Sequence, residues 1–235
     1  MKRILYICIG LLLTFSSCQN DYLIDGGISS PYAYVTTVEY LKANPQKRFQ
    51  NILTFYEKAG MLDLLNTPGA TVFMPSDYSL NSYVLQIREQ KREEYNDLNY
   101  AFTLDSLFVH IDEYKENLKM YIVPETINRD DVGSGREVKS LLGNDMYIYM
   151  QESPLYTGDS DNVPALPNSK PWFLYYRLII NGLDPSDEEL EANDPNKDES
   201  SMCQTSGIIT TTGILHALED YHKLFFNKMA TPPRI

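Results

Sequence analysis

The sequence predicts an α+β domain whose helices gather early and whose strands come late. Two observations predict it. Apolar residues fall at helical spacing through the early part of the chain, whereas β-branched and aromatic runs dominate after it. One short apolar run, Ala70 to Met74, lies between the early helices and reads as a buried strand. Apolar residues make up 43% of the 235 positions, enough for the core of one domain.

Residues 1–17 read as an export signal. Lys2 and Arg3 give a basic start, Ile4 to Leu13 is an almost unbroken apolar run, and Ser16-Ser17 precede Cys18. The run is too short to span a bilayer, and no later stretch reaches the ~18 apolar residues of a spanning helix. Leu13 to Cys18 resembles the bacterial lipoprotein box, with Phe15 where Leu or Val is usual. The resemblance implies acylation of Cys18, palmitate included, and cleavage before it. Several acyl chains on one cysteine anchor a protein stably. Loss of Lys2 and Arg3 would take the formal charge from −12 to −14. So acidic a chain repels nucleic acid and anionic headgroups, which leaves the lipid as its membrane contact.

Residues 18–34 are polar and contain glycine, which reads as a tether. Cys18 is followed by Gln19 and, shortly after, Asp21; this is similar to outer-membrane or surface lipoproteins of the Bacteroides group. With Cys8 in the signal and Cys18 acylated, Cys203 is left alone as a packing residue, and no disulfide forms.

The domain proper is placed at 35–227, with a tail over 228–235. Val38, Leu41, Phe49, Ile52, Leu53 and Tyr56 predict two short helices broken at Asn44-Pro45. Met61 to Leu65 adds a turn before the break at Asn66 to Gly69. Pro75 ends the strand at Ala70 to Met74, and Ser76 or Asp77 caps a helix carrying Tyr83, Val84 and Ile87. The polar stretch Glu89 to Asn99 separates it from a helix starting near Thr103. Val138 to Leu142, Met146 to Met150, Trp172 to Ile180 and Gly207 to Leu218 are the late strands, the first two joined by a hairpin at Gly143-Asn144-Asp145.

Three signature segments and a helical entry carry a resemblance. Thr71-Val72-Phe73-Met74-Pro75-Ser76-Asp77 is similar to the first signature of fasciclin-like domains, and Gly213-Ile214-Leu215-His216-Ala217-Leu218-Glu219 to the second. Leu118 to Pro124 resembles the segment between them, and Phe49-x-x-Ile52-Leu53 with Ala59-Gly60-Met61 the helical entry. The resemblance covers about Thr37 to Phe226 and implies a compact wedge of two packed β-sheets with surrounding helices, here with polar insertions at Gln151–Lys170 and Asn181–Met202. Met120-Tyr121 stands where the family commonly has a Tyr-His pair linked to adhesion, so that role does not carry over residue by residue.

Chemistry is sparse. The chain holds no His-Glu-x-x-His, Cys-x-x-Cys, Gly-x-Ser-x-Gly or phosphate-cradling glycine loop, so neither a cofactor nor a catalytic residue is assigned. His216, amid apolar neighbours, reads as a structural histidine, while His110 and His222 read as exposed. Asp194-x-Asn196-x-Asp198-x-Ser200 alternates like a calcium loop but has Glu199 and Thr205 at the glycine and bidentate-glutamate positions; it reads as a solvated acidic loop, not a metal site. Eighteen tyrosines are many for this length. Trp172, Tyr175 and Tyr176 are the ligand-contact residues singled out, on a strand with either a sugar-stacking or protein-contact face or a fully covered one. The resemblance thus implies a non-enzymatic, lipid-anchored binding protein of the cell surface, accessory to an outer-membrane uptake complex or to glycan capture. The alternative is a hydrolase whose carboxylate pair meets only in space.

Overall fold

The structure is a computed structural model describing residues 30–152, 171–183 and 196–227. The residues read as signal, Cys18, most of those read as tether and the stretch 228–235 lie outside the described residues. The chain divides into Met1–Ser30 and Pro31–Ile235, and the second unit is the one described.

Residues 31–34, which the sequence suggests belong to the tether, are stitched to the fold. Tyr32 bridges Ile209 in parallel, with Ala33 N–H donating to Ile209 O at 2.9 Å and Ile209 N–H to Pro31 O at 2.7 Å. Helix α1 (Thr37–Lys42) opens with a capping box between Thr36 and Glu39. Helix α2 (Gln50–Lys58) buries Ile52, Leu53, Phe55 and Tyr56, and a 3-10 turn at Leu62–Asn66 leads to β1 (Ala70–Met74), buried along its whole length.

Helix α3 (Asp77–Tyr95) is longer than its apolar face suggests. The polar residues from Glu89 continue it because they are good helix formers paired along the surface, Lys91 with Glu94 and Arg92 with Glu89. Asn96 ends it in the left-handed conformation, φ 49°. Then follow α4 (Leu104–Val109), α5 (Ile111–Tyr114), a 3-10 segment at Lys115–Tyr121 and β2 (Ile122–Val123).

The late strands are β3 (Arg136–Lys139), β4 (Asp145–Glu152), β5 (Trp172–Leu178), β6 (Glu199–Ile209) and β7 (Gly213–Leu218). The expected strand at Gly207 to Leu218 is thus the end of β6, a turn and β7. The seven described strands form one hydrogen-bonded sheet, ordered β2-β1-β7-β6-β5-β4-β3, where two packed sheets were expected. Among the described strands, only β1 and β7 pair in parallel with each other. The junction is β6, whose Glu199–Met202 pairs with β5 and whose Cys203–Ile209 pairs with β7, with two register shifts in the second part. Such bulges bend a strand sharply.

Gly213 shows why a glycine opens the second signature: a Cβ there would collide with the carbonyl oxygen of Ala70 on the neighbouring strand. The core runs from α1, α2 and α3 through β1 and β7 to Met146, Ile148, Leu174, Tyr176 and Leu178 of β4 and β5. Among the described residues, no helix is long and apolar enough to cross a membrane.

Candidate functional site

The two signature strands are internal scaffold. Phe73 of β1 lies opposite His216 of β7 and stacks on it at 4.9 Å. His216 is buried and saturated: Nδ1 accepts from Gly207 N–H at 3.1 Å, and Nε2–H donates to Ile127 O at 3.2 Å. Burial holds its pKa down at about 4, so it is neutral, as a structural histidine should be. Thr71 Oγ1 donates to Glu125 O at 2.7 Å and accepts from Ile127 N–H at 2.8 Å, fixing the loop after β2.

His222, expected at the surface, is buried instead. Tyr121 Oη accepts from Phe225 N–H at 2.6 Å and has its proton left for His222 Nε2 at 2.7 Å. Burial pushes the His222 pKa down to about 3. The reason is local. Phe225 and Phe226 take positive φ and are packed in the core, and this turn carries His222 in with them. The apolar run Leu224-Phe225-Phe226 was the visible signal. Met120 and Tyr121 are buried too, so the position of the adhesive pair is core here. His110 is exposed, 3.1 Å from Glu113.

Asp77 has another role than the expected one. Its carboxylate accepts from Asn51 N–H at 3.0 Å and Ile52 N–H at 2.9 Å, capping α2 instead of its own helix. Burial pushes its pKa up, and the backbone donors pull it partly back.

The three expected contact residues separate. Trp172 is 49% exposed, and its carbonyl is held by the Arg129 guanidinium at 2.8 Å. Tyr175 is half-buried on the outer side of the strand. Tyr176 is fully buried, stacked on Phe73, with its hydroxyl donating to Met120 O at 2.6 Å. It is therefore a core residue and is withdrawn as a contact, because strand alternation turns it inward beside Leu174.

The same alternation brings two unselected tyrosines beside Tyr175. Tyr149 stacks on Tyr175 at 5.1 Å and Tyr147 on Tyr149 at 5.4 Å. Arg177 lies over the Tyr149 ring at 4.7 Å, donating to Tyr149 Oη at 2.9 Å and Ser200 Oγ at 2.8 Å. The pattern Met146-Tyr147-Ile148-Tyr149 in the sequence already held this face.

The acidic insertion is only partly described. Asp194 lies outside the described residues, Asn196 Oδ1 accepts from Asn181 Nδ2 at 2.7 Å, and buried Asp198 accepts from Ile180 N–H at 2.9 Å. Asp198 and the residues through Met202 belong to the packed fold, which corrects their reading as solvated loop.

A helical front half set on a bent mixed sheet, with His216 and His222 consumed in scaffold, defines an α+β domain with a tyrosine-rich outer face. Residues 47–166, just over half of the chain, match the fasciclin domain family, and the chain belongs to it. Domains of this family are typically adhesion or binding modules, not enzymes. Among solved structures the chain is similar to the FAS1 domain pair of the insect cell adhesion molecule fasciclin I, with 12% identity and a TM-score of 0.39, over 74% of this chain and 45% of that one. No curated protein matches the sequence.

Proposed function

We propose that this is a non-enzymatic protein of the outer-membrane surface, anchored through acylated Cys18, whose fasciclin domain docks on a protein of an outer-membrane uptake complex. The observation that carries the docking reading is the stacked row Tyr147, Tyr149 and Tyr175, braced by Arg177, on the sheet face opposite the one that Trp172 shares with Leu174 and Tyr176. Tyr and Arg are among the residues that concentrate binding energy at protein interfaces. A sheet face offers them a broad contact area, which suits a protein surface better than a single small ligand. The anchor rests on the basic start, the short apolar run and the Ser-Ser-Cys ending at Cys18.

The test uses tagged full-length protein solubilised from membranes. Clickable fatty acid should label the wild type and Tyr175→Ala but not Cys18→Ser. Tyr147→Ala and Tyr175→Ala should keep the wild-type melting temperature within a few degrees while losing the co-purifying membrane protein. Retention of the same protein by both variants removes the sheet face from the reading. Labelling of the serine variant removes the anchor.

A further inference from the structure

Three turns meet on a different part of the surface: the loop before α2, the turn from β1 into α3, and the turn after β7. Gln46, Lys47, Arg48, Asp77, Tyr78 and Asp220 line a groove of ≈460 Å3 there. That size lies within the roughly 300–1,000 Å3 usual for small-molecule sites.

The polar groups of this groove are braced from behind. Arg48 pairs with the Asp220 carboxylate and also donates to Gln204 Oε1 at 3.3 Å. Ser76 Oγ, fully buried, donates to Asp220 Oδ1 at 2.8 Å. Asp77 is fixed by the α2 backbone donors Asn51 and Ile52. A carboxylate offers about four acceptor positions, so both aspartates keep capacity towards the groove. Lys47 holds φ 53°, a left-handed conformation that strains a non-glycine residue and recurs at functional sites.

We propose that this groove binds a neutral saccharide, stacked on Tyr78 and hydrogen-bonded through its hydroxyls to the four charged side chains. Charge selects this class. Lys47 and Arg48 balance Asp77 and Asp220, so the lining is formally neutral within a chain of charge −12. An anionic ligand meets two carboxylates and the field of the whole protein. A cation meets the ammonium and the guanidinium. An apolar ligand strips water from four charged groups and returns nothing. A sugar hydroxyl both donates and accepts, so it satisfies carboxylate and cation alike. Tyr78, 62% exposed, supplies the apolar platform that a sugar ring face needs, and Tyr221, beside Asp220 in sequence, is 92% exposed.

The site is separate from the sheet face and stands whether or not that face docks a protein. Full-length protein in detergent is screened on an array of neutral hexose oligosaccharides and their sialylated or sulfated counterparts, and the best neutral hit is titrated calorimetrically. Neutral glycans are expected to bind and acidic ones not. Tyr78→Ala and Lys47→Gly should each raise Kd about tenfold or more. The first removes only an exposed ring and the second relieves the backbone, so both should fold, with melting temperatures at or above wild type. Trp172→Ala should bind the glycan unchanged. Absence of neutral binding by folded protein, preference for acidic glycans, wild-type Kd in both groove variants, or loss with Trp172→Ala each overturns the assignment.

Discussion

Phe73 and Tyr176 stack face to face at 3.9 Å with their planes 3° apart, although two strands separate β1 from β5 in the sheet. In a flat sheet three strand spacings would hold these strands about 14 Å apart. The stack therefore measures how sharply the sheet folds at the bulged β6. Phe73→Ala opens a cavity between the two halves and should cost about 3–5 kcal/mol in denaturant unfolding. A double-mutant cycle of Phe73→Leu with Tyr176→Leu should give a coupling above about 0.5 kcal/mol. Additive losses would mean the rings are neighbours without being partners.

Asp77 separates helix start from helix cap. Removing its carboxylate should free the first turn of α2 and leave α3 intact, because Leu80 N–H is held by the Ser76 backbone carbonyl at 3.2 Å. Asp77→Ala should cost about 1–2 kcal/mol. Amide exchange locates the damage: Asn51 and Ile52 should speed up relative to wild type, and Leu80 should not. Faster exchange at Leu80 with Asn51 unchanged would return the cap to α3.

Local chemistry was legible in the sequence wherever the fold is local. The strand at Ala70 to Met74, the break at Asn44-Pro45 and the hairpin at Gly143 depend on burial, proline and turn residues within a few positions. The family resemblance was legible for the same reason, since its signature residues are close-packed scaffold such as Gly213 against Ala70. Long-range partners were not legible. Nothing near Asp77 in sequence points to an α2 amide twenty-five residues earlier. Nothing near His222 shows that Tyr121, 101 residues away, waits for its ring. The groove at Arg48 and Asp220 spans 172 residues of chain and leaves no spacing to read. The alternation of Tyr147 and Tyr149 was present in the sequence, but only the pairing of β4 with β5 sets them against Tyr175.

Both buried histidines should make the domain acid-sensitive well above the carboxylate range. In the folded state His216 is held down at about 4 and His222 at about 3, while the unfolded chain protonates near 6.5. As pH falls below about 6.5 the unfolded state binds protons that the folded state refuses, so stability present above that pH is lost towards pH 4. The loss approaches roughly 1 kcal/mol per histidine for each pH unit. Urea midpoints at pH 7.5 and 5.5 isolate the effect, because carboxylates barely titrate there. His222→Gln should flatten the slope by about half. Equal midpoints at the two pH values in wild type would show that the folded domain accepts the protons.

Asp198 decides whether the acidic segment is calcium loop or fold. Its side chain is buried and accepts from Ile180 N–H just past β5, while Asn196 Oδ1 is engaged by Asn181. Beyond it, Glu199 to Met202 pair with Leu178 to Tyr175. Asp198→Ala leaves the Ile180 N–H without this acceptor and should cost about 1–3 kcal/mol. Excising Asn181 to Met202 deletes the β6 edge that β5 pairs with and should abolish cooperative unfolding. Calcium at millimolar concentration should leave the wild-type melting temperature unchanged, because a metal must first break the hydrogen bonds that hold these oxygens. A rise of several degrees that disappears in Asp198→Ala would show by linkage that the metal wins that competition.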